Sequence, residues 1–476
     1  MIYAASVALI VSALLAVSVV RTLKLRSHAD FMVADRKLSA SVLVFTLLCS
    51  WIGAGSLFGG AEFAIKQGLS ALWLPAGGWA GLLVVYFTAG RARAFAQYTV
   101  PDLLETRYSP IARVLGTLCI IVSYTAIVSY QFRGGGRILN LAFGVSESTG
   151  TFILAGFVIL FTALAGMSSV AYTDLVIGLV VTAGSVVVLP AMIMRTGGWN
   201  ALHAALPASH FTPLGTMSRF EALGYFFPTF MLMIGNQTMY QKFFSARSER
   251  EARLSVLGWI FGTMALETII VVLAMVGGAM FHRQIESGAL PAWGIIPYTA
   301  RHGVTPFVGA LLLGAIFAKV ISTGNNYLFS PATSVIHDVF QRFIMKNAED
   351  RTLLFLSRIT VVLLGLVALA QAFQPSILAT AVYAYDVYGA GITPVVVAAF
   401  FWKRATTAGG LSSIIAGTGL AVIWRLAHLE DATHAALGYS VPMIFPALAA
   451  SLVCLVGISL LTGRPPEKLW RPFFRG

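Results

Sequence analysis

The stretch "AIFAKVISTGNN", Ala315 to Asn326, sets one lysine into an apolar run and follows it with two hydroxyl residues. Positions 319, 322 and 323 are three and four residues apart, so on a helix Lys319, Ser322 and Thr323 share one face. Lys319 stands about 14 residues into that run, roughly 21 Å along a helix axis. A charged lysine at such depth costs on the order of 3 kcal/mol in a bilayer, which argues for an internal polar site rather than lipid contact. Glu62, Asp174, Glu267, Asp386 and Arg133 also fall inside apolar runs, and pairing among such charges is expected. Asp386, beside Tyr385, is expected on a solute path or in a helix-packing hydrogen bond. Glu62 and Glu267 are expected in structural or interfacial positions. His337 and Asp338 are adjacent, but neighbours on a helix point about 100° apart, which argues against a catalytic pair.

The elements that must position these residues follow from composition. The chain has 476 residues, 58% apolar and 11% charged, with a mean hydropathy of +0.82. A soluble protein would carry roughly a quarter charged residues. Apolar runs of about 20 residues recur from end to end, each long enough to cross a hydrocarbon core of about 30 Å. This is the pattern of an all-α polytopic membrane protein lying in a lipid bilayer. The first run, "IYAASVALIVSALLAVSVV", is too long for a signal-peptide core and lacks a basic start and a small-residue cleavage site, so it reads as a retained helix. Cys49, Cys119 and Cys454 all lie inside apolar runs, with neither a disulfide framework nor metal-ligand spacing.

Thirteen transmembrane helices are expected, at about 2–22, 41–63, 69–90, 111–141, 150–166, 171–195, 219–241, 253–281, 304–333, 353–373, 377–402, 406–427 and 441–461. Basic residues crowd alternate loops. One side collects Arg21, Lys24, Arg26, Arg36, Lys37, Arg91, Arg93, Arg107, Arg113, Lys242, Arg247, Arg250 and Arg253. The same side adds Arg342, Lys346, Arg351, Arg358, Lys403, Arg404, Arg464, Lys468, Arg471 and Arg475. The positive-inside rule makes that side cytoplasmic, with the N-terminus outside and the C-terminus inside the inner membrane. The formal charge of +13 therefore reports topology, not nucleic-acid binding. The longest extramembrane stretch, about 196–218, is too short for a soluble domain.

Two expected helices are interrupted. The second contains "WIGAGSLFGG", Trp51–Gly60, and the seventh "MIGNQTMYQ", Met233–Gln241. Glycine weakens a helix by up to about 1 kcal/mol relative to alanine. Helices 2–6 and 7–11 form two sets of five, and both interruptions fall in the first helix of a set. Matched interruptions mark the solute site of inverted-repeat transporters, although glycines also permit close helix packing without any site.

Several motifs resemble the sodium:solute symporter family, over about Asp30 to Gly417. They are "YTVPDLLETRYSP" (Tyr98–Pro110), "QFRGGGRIL", "AYTDLVIG" (Ala171–Gly178), "QKFFSARSEREA" and "FFWKRATTAGGLSSIIAG" (Phe400–Gly417). The resemblance implies a leucine-transporter-type fold of two inverted five-helix repeats plus flanking helices. In one transporter domain, 1–40 would then hold an extra helix and loop, 41–195 the first repeat, 219–402 the second and 406–476 the C-terminal helices. It also implies secondary transport coupled to sodium. A sodium site would take backbone carbonyls of Cys49, Ile52 and position 319 with the hydroxyls of Ser322 and Thr323, and Asp174 would lie near it. Ser56, Asn236 and Tyr385 would line the solute site, with Asp386 a further candidate. Oxygen ligands freed by an unwound helix suit a hard cation.

The chain departs from the family pattern at position 319, usually a small residue and here Lys319. Asn325 and Asn326 stand where serines are usual at a second sodium site, Ile177 where glutamine is common, and Arg133 where the family is apolar. Two readings of Lys319 stand open. Its ammonium occupies or borders the cation site, or it points away to pair an acid, Asp174 by family geometry, or to reach water. The first makes the protein sodium-independent, as a proton-coupled carrier, a uniporter or an exchanger, since a buried lysine can itself carry a proton. The sequence shows no convergent acid, base or metal cluster of an enzyme, no channel filter repeat and no attached signalling domain. A secondary transporter of a small organic solute leads, with no obligatory protein partner and no cofactor beyond a sodium ion. A transporter-like sensor acting through a partner is the distant alternative.

Overall fold

Residues 2–22, 28–95, 98–164, 166–374 and 376–474 are described by a computed structural model. Lys24, Arg26 and Arg475 of the charge pattern lie outside the described residues, as do the side chains of Arg21 and Asp30. The described chain is helical, with one isolated bridge between Leu38 and Ala246. Hydroxyl residues start many of the helices. Ser109, Ser248, Ser376 and Thr406 each accept a hydrogen bond from a first-turn amide, and Ser218 with Glu221 completes a capping box, which satisfies donors that the helix itself leaves free. Gly144 ends the helix Pro110–Phe143 in the left-handed region at φ 75°, a conformation that glycine adopts without strain.

All thirteen expected stretches are helical over most of their described residues. Among the described residues, ten helical stretches are long and apolar enough to cross a membrane, including Gly55–Phe95, which runs through two expected spans, while Ile2–Val17 and Ala40–Trp51 are shorter apolar helices. Both interruptions appear as breaks. The helix Ala40–Trp51 stops at Ile52, whose φ −84° and ψ 109° are extended, and the chain resumes as a π-helix over Gly55–Gly60. The helix Arg219–Gly235 stops at Asn236, φ −59° and ψ 113°, and Gln237–Ser245 continues from it.

Helix packing pairs off between the two sets of five. Ala40–Trp51 packs on Met167–Arg195 and Glu249–Met280, and its counterpart Arg219–Gly235 packs on Ile377–Gly391 and Trp73–Phe95. Pro110–Phe143 packs on Ile377–Gly391 as Pro306–Ser334 packs on Met167–Arg195. Two interchangeable halves of this kind are the mark of an inverted repeat. The helix Pro306–Ser334 runs through the middle, and every side chain from Leu312 to Ser334 is buried. The first helix, Ile2–Thr22, covers its outer flank, where the hydroxyls of Tyr3 and Ser6 donate to the carbonyls of Arg301 and Ala310 at 2.8 and 2.7 Å.

Candidate functional site

Lys319 does not reach water, and it does not pair an acid. Its side chain is fully buried, and Nζ lies 3.0 Å from the Leu48 carbonyl oxygen and 3.2 Å from Cys49 Sγ, at the end of the helix that breaks at Ile52. One turn later Thr323 Oγ1 lies 2.8 Å from the Cys49 carbonyl and 3.1 Å from that of Ile52, and 3.0 Å from the carbonyl of Lys319 itself. The carbonyls at 49, 52 and 319 thus converge on the Thr323 hydroxyl, and the ammonium sits beside the same stretch of chain, at Leu48 and Cys49. Such closeness depends on Gly53, because a Cβ there would stand 2.6 Å from Thr323 Oγ1.

Asp174 is fully buried beside this group but is not the partner of Lys319. Its carboxylate accepts from the hydroxyls of Ser322 and Thr46, the latter at 2.5 Å, and from Asn326 Nδ2 at 3.0 Å. Ser322 therefore donates its hydroxyl hydrogen bond to Asp174 instead of turning toward the carbonyls of the break. Lys242, expected in a basic loop, is a correction. It lies inside the helix Gln237–Ser245, fully buried, and its ammonium donates to Ser50 Oγ and to Asn326 Oδ1, the second at 2.6 Å. Asn326 so stands between the ammonium of Lys242 and the carboxylate of Asp174. Asn325, by contrast, is buried with neither amide atom bonded.

The four solute-site candidates do not share one cavity. Ser56 and Tyr385 line a narrow cavity at the first break, together with Trp51, Gly55, Thr229 and Glu267. Asn236 instead closes the second break: its Oδ1 accepts from Tyr124 at 2.9 Å and from the Met239 amide at 3.3 Å, and its Nδ2 donates to Tyr327 at 3.0 Å. Asp386 lines a separate cavity of about 490 Å³ with Glu62, Lys66, Tyr383, Arg425 and Glu430. One step along a helix turns the side chain through about 100°, which sends Tyr385 and Asp386 to different cavities. Glu267 was expected to be structural or interfacial, and it is buried among other helices instead of lying at an interface. It is 4% exposed and accepts from the indoles of Trp51 and Trp79 at 2.9 and 2.8 Å. Among the described residues, no ion pair joins these intramembrane charges to one another. Glu62 pairs with Lys66 at 2.8 Å, and the Arg133 guanidinium lies over the ring of Trp293, 5.4 Å from its centroid.

The sequence pattern of the sodium:solute symporter family matches residues 31–417. The chain belongs to that family. It is 28% identical over 471 residues to the high-affinity proline transporter PutP of Bacillus subtilis, an alignment covering 93% of this chain and 95% of that protein. It is 26% identical to the osmoregulated proline transporter OpuE of the same organism, over 93% and 92%. A sodium/proline symporter of Staphylococcus aureus matches at 25%, over 92% and 88%. Among solved structures, a Na+-coupled sialic acid symporter in its substrate-bound outward-open state superposes with a TM-score of 0.82 at 14% identity, over 98% of each chain. Mhp1, a nucleobase-cation-symport-1 family transporter, follows at 0.59 and 12%, over 94% and 96%. This family member is a multi-pass membrane transporter of a small solute with a leucine-transporter-type fold, not an enzyme.

At one end of the bundle a second charged group forms around Arg113, a residue counted on the basic side and found buried. Its guanidinium pairs with Asp102, Glu105 and Asp338, the last at 3.0 Å. His337 Nε2 lies 3.1 Å from Asp102 Oδ2, so ligand-type atoms of Asp102, His337 and Asp338 fall within 4.8 Å of one another. Arg113 already supplies the positive charge that a metal would bring, and the group is an ion-pair lattice. Burial opposes ionisation of Asp102, yet the hydrogen bond and charge of His337 and the charge of Arg113 hold its carboxyl below the usual range. Lys242 was separated from ordinary loop cations only by preceding "FF" instead of polar loop residues, and Arg113 only by falling two residues inside an expected helix.

Proposed function

We propose that this protein carries a small organic solute across the cytoplasmic membrane by alternating access, without sodium at the site formed by Cys49, Ile52, Lys319, Ser322 and Thr323. The observation that carries this reading is the Lys319 ammonium, 3.0 Å from the Leu48 carbonyl at the helix break. Two cations about 4 Å apart repel by about 4 kcal/mol at an effective dielectric of 20, roughly a thousandfold in affinity. Ser322 is moreover committed to Asp174, which removes one hydroxyl from the ligand set. Coupling then falls to a proton, or the carrier works as a uniporter or exchanger.

The repeat boundaries 41–195 and 219–402, thirteen crossings and an external N-terminus belong to the same reading, supported by the paired helix contacts and by the basic loops. The names of the relatives make L-proline the first solute to try. Uptake of labelled L-proline and other small solutes into proteoliposomes, under imposed sodium and proton gradients in turn, is the test. The expected result is uptake indifferent to sodium. Family membership favours sodium symport, and uptake driven strongly by a sodium gradient would establish it and overturn the reading of Lys319.

A further inference from the structure

Glu267 occupies the middle of the helix Glu249–Met280, far from either end. Its Oε1 accepts from Trp51 Nε1 at 2.9 Å and faces Ser56 Oγ at 3.5 Å, and its Oε2 accepts from Trp79 Nε1 at 2.8 Å. An indole N–H only donates, so the two firm partners suit a carboxylate and offer a carboxylic acid no acceptor for its proton. Every ion pair among the described residues lies elsewhere. Lys319 and Lys242, the buried ammonium groups of the core, are held by Leu48 and Cys49 and by Ser50 and Asn326. Glu267 therefore stands in the membrane interior as a carboxyl group that meets donors and has no counter-ion in contact, and such groups normally face a partner or an ion pathway.

Its surroundings describe the missing partner. The cavity that Glu267 lines with Trp51, Gly55, Ser56, Thr229 and Tyr385 has a volume of about 30 Å³, room for one group the size of a water molecule or an ammonium head. The rings of Trp51 and Tyr385 stack at 22°, with centroids 6.3 Å apart, and present aromatic surface of the kind that attracts cations. We infer that Glu267 is the recognition point for a protonated amine on the transported solute, whose N–H donates to the carboxylate within the aromatic walls at the first helix break. This rests on the reading that the cavity at that break is the solute site, and it names the chemical class that the site takes.

Binding at equilibrium, with no gradient imposed, separates this inference from the question of coupling. The purified full-length protein is titrated with L-proline, pyrrolidine and putrescine, and with tetrahydrofuran-2-carboxylate, tetrahydrofuran and 1,4-butanediol, which match them in shape but lack a cationic nitrogen. Indole fluorescence and the melting temperature are the readouts. At least one amine should bind, its neutral-centred counterpart should bind about tenfold more weakly or worse, as expected for loss of a hydrogen bond between charged groups, and Glu267→Gln should remove the difference. The matched pair on the native protein decides the matter even if the variant fails to fold. Equal binding within every pair, binding by none of the amines, or undiminished discrimination in a folded Glu267→Gln variant each overturns the inference. A variant that keeps amine binding but loses a proton-driven component of uptake would make Glu267 a proton carrier instead. Sodium-driven uptake alongside Glu267-dependent amine binding would sink the reading of Lys319 and leave this one standing.

Discussion

Two clusters of buried charge hold this protein together in opposite ways. Around Arg113 the charges touch: three carboxylates reach one guanidinium directly. Around Asp174 they do not. Ser322, Thr46 and Asn326 surround the carboxylate, and the Lys242 ammonium is reached only through the amide of Asn326. Direct pairs in a low-dielectric setting are costly to separate, because each partner would be left as an uncompensated charge. Charges separated by neutral amides and hydroxyls can be rearranged one hydrogen bond at a time. The first cluster suits a fixed closure of one end of the bundle, and the second suits a site whose occupancy changes during a transport cycle.

Removing Arg113 should have the largest effect. Arg113→Met leaves Asp102 to His337 and Glu105 to Arg342 but strips buried Asp338 of its one ion-pair partner, and a loss of about 3–5 kcal/mol in stability is expected for breaking a buried charge group. A melting temperature that stays put in Arg113→Met would erase the contrast between the clusters. Lys319→Ala comes next and acts on function rather than folding. It restores a small residue and leaves the carbonyls of Cys49 and Ile52 and the Thr323 hydroxyl without a cation beside them. Sodium stimulation of uptake should appear, by up to roughly a thousandfold in sodium affinity on the estimate of about 4 kcal/mol for the removed repulsion. Uptake that is as blind to sodium in Lys319→Ala as in the native protein would show that the lysine is not what excludes the ion.

The smallest effect concerns pH and sharpens the comparison. Asp102 titrates below the usual range in the folded protein, so its contribution to stability is fully present above its unfolded value of about 3.9 and is lost only as pH falls through the still lower folded value. The melting temperature in detergent should therefore show no loss from Asp102 between pH 7 and pH 5. In Asp102→Asn the acid-induced decline should become shallower below about pH 4. An unchanged decline in that variant would place the acid sensitivity elsewhere.

Both breaks were legible in the sequence because glycine and consecutive polar residues weaken a helix wherever they occur, whatever packs around them. The depth of Lys319 was legible for a similar reason, since position along an apolar run translates directly into distance along an axis. Direction around that axis was not. Tyr385 and Asp386 differ by one residue and face different cavities, and Asp174 lies beside Lys319, Ser322 and Thr323 yet turns to Ser322 instead of Lys319. Glu267 and Lys242 were missed because their meaning lies in partners from other helices: Trp51 and Trp79 for one, Ser50 and Asn326 for the other. No spacing rule connects residues separated by that much chain.

Gly53 has a mechanical consequence. There is no room for even a methyl group between its backbone and the branched side chain of Thr323, so the broken helix and the lysine helix meet at backbone distance. Any side chain at position 53 would have to push the threonine, and the helix that carries it, away from the break. The spacing between these two segments is thus set by the absence of a single carbon atom.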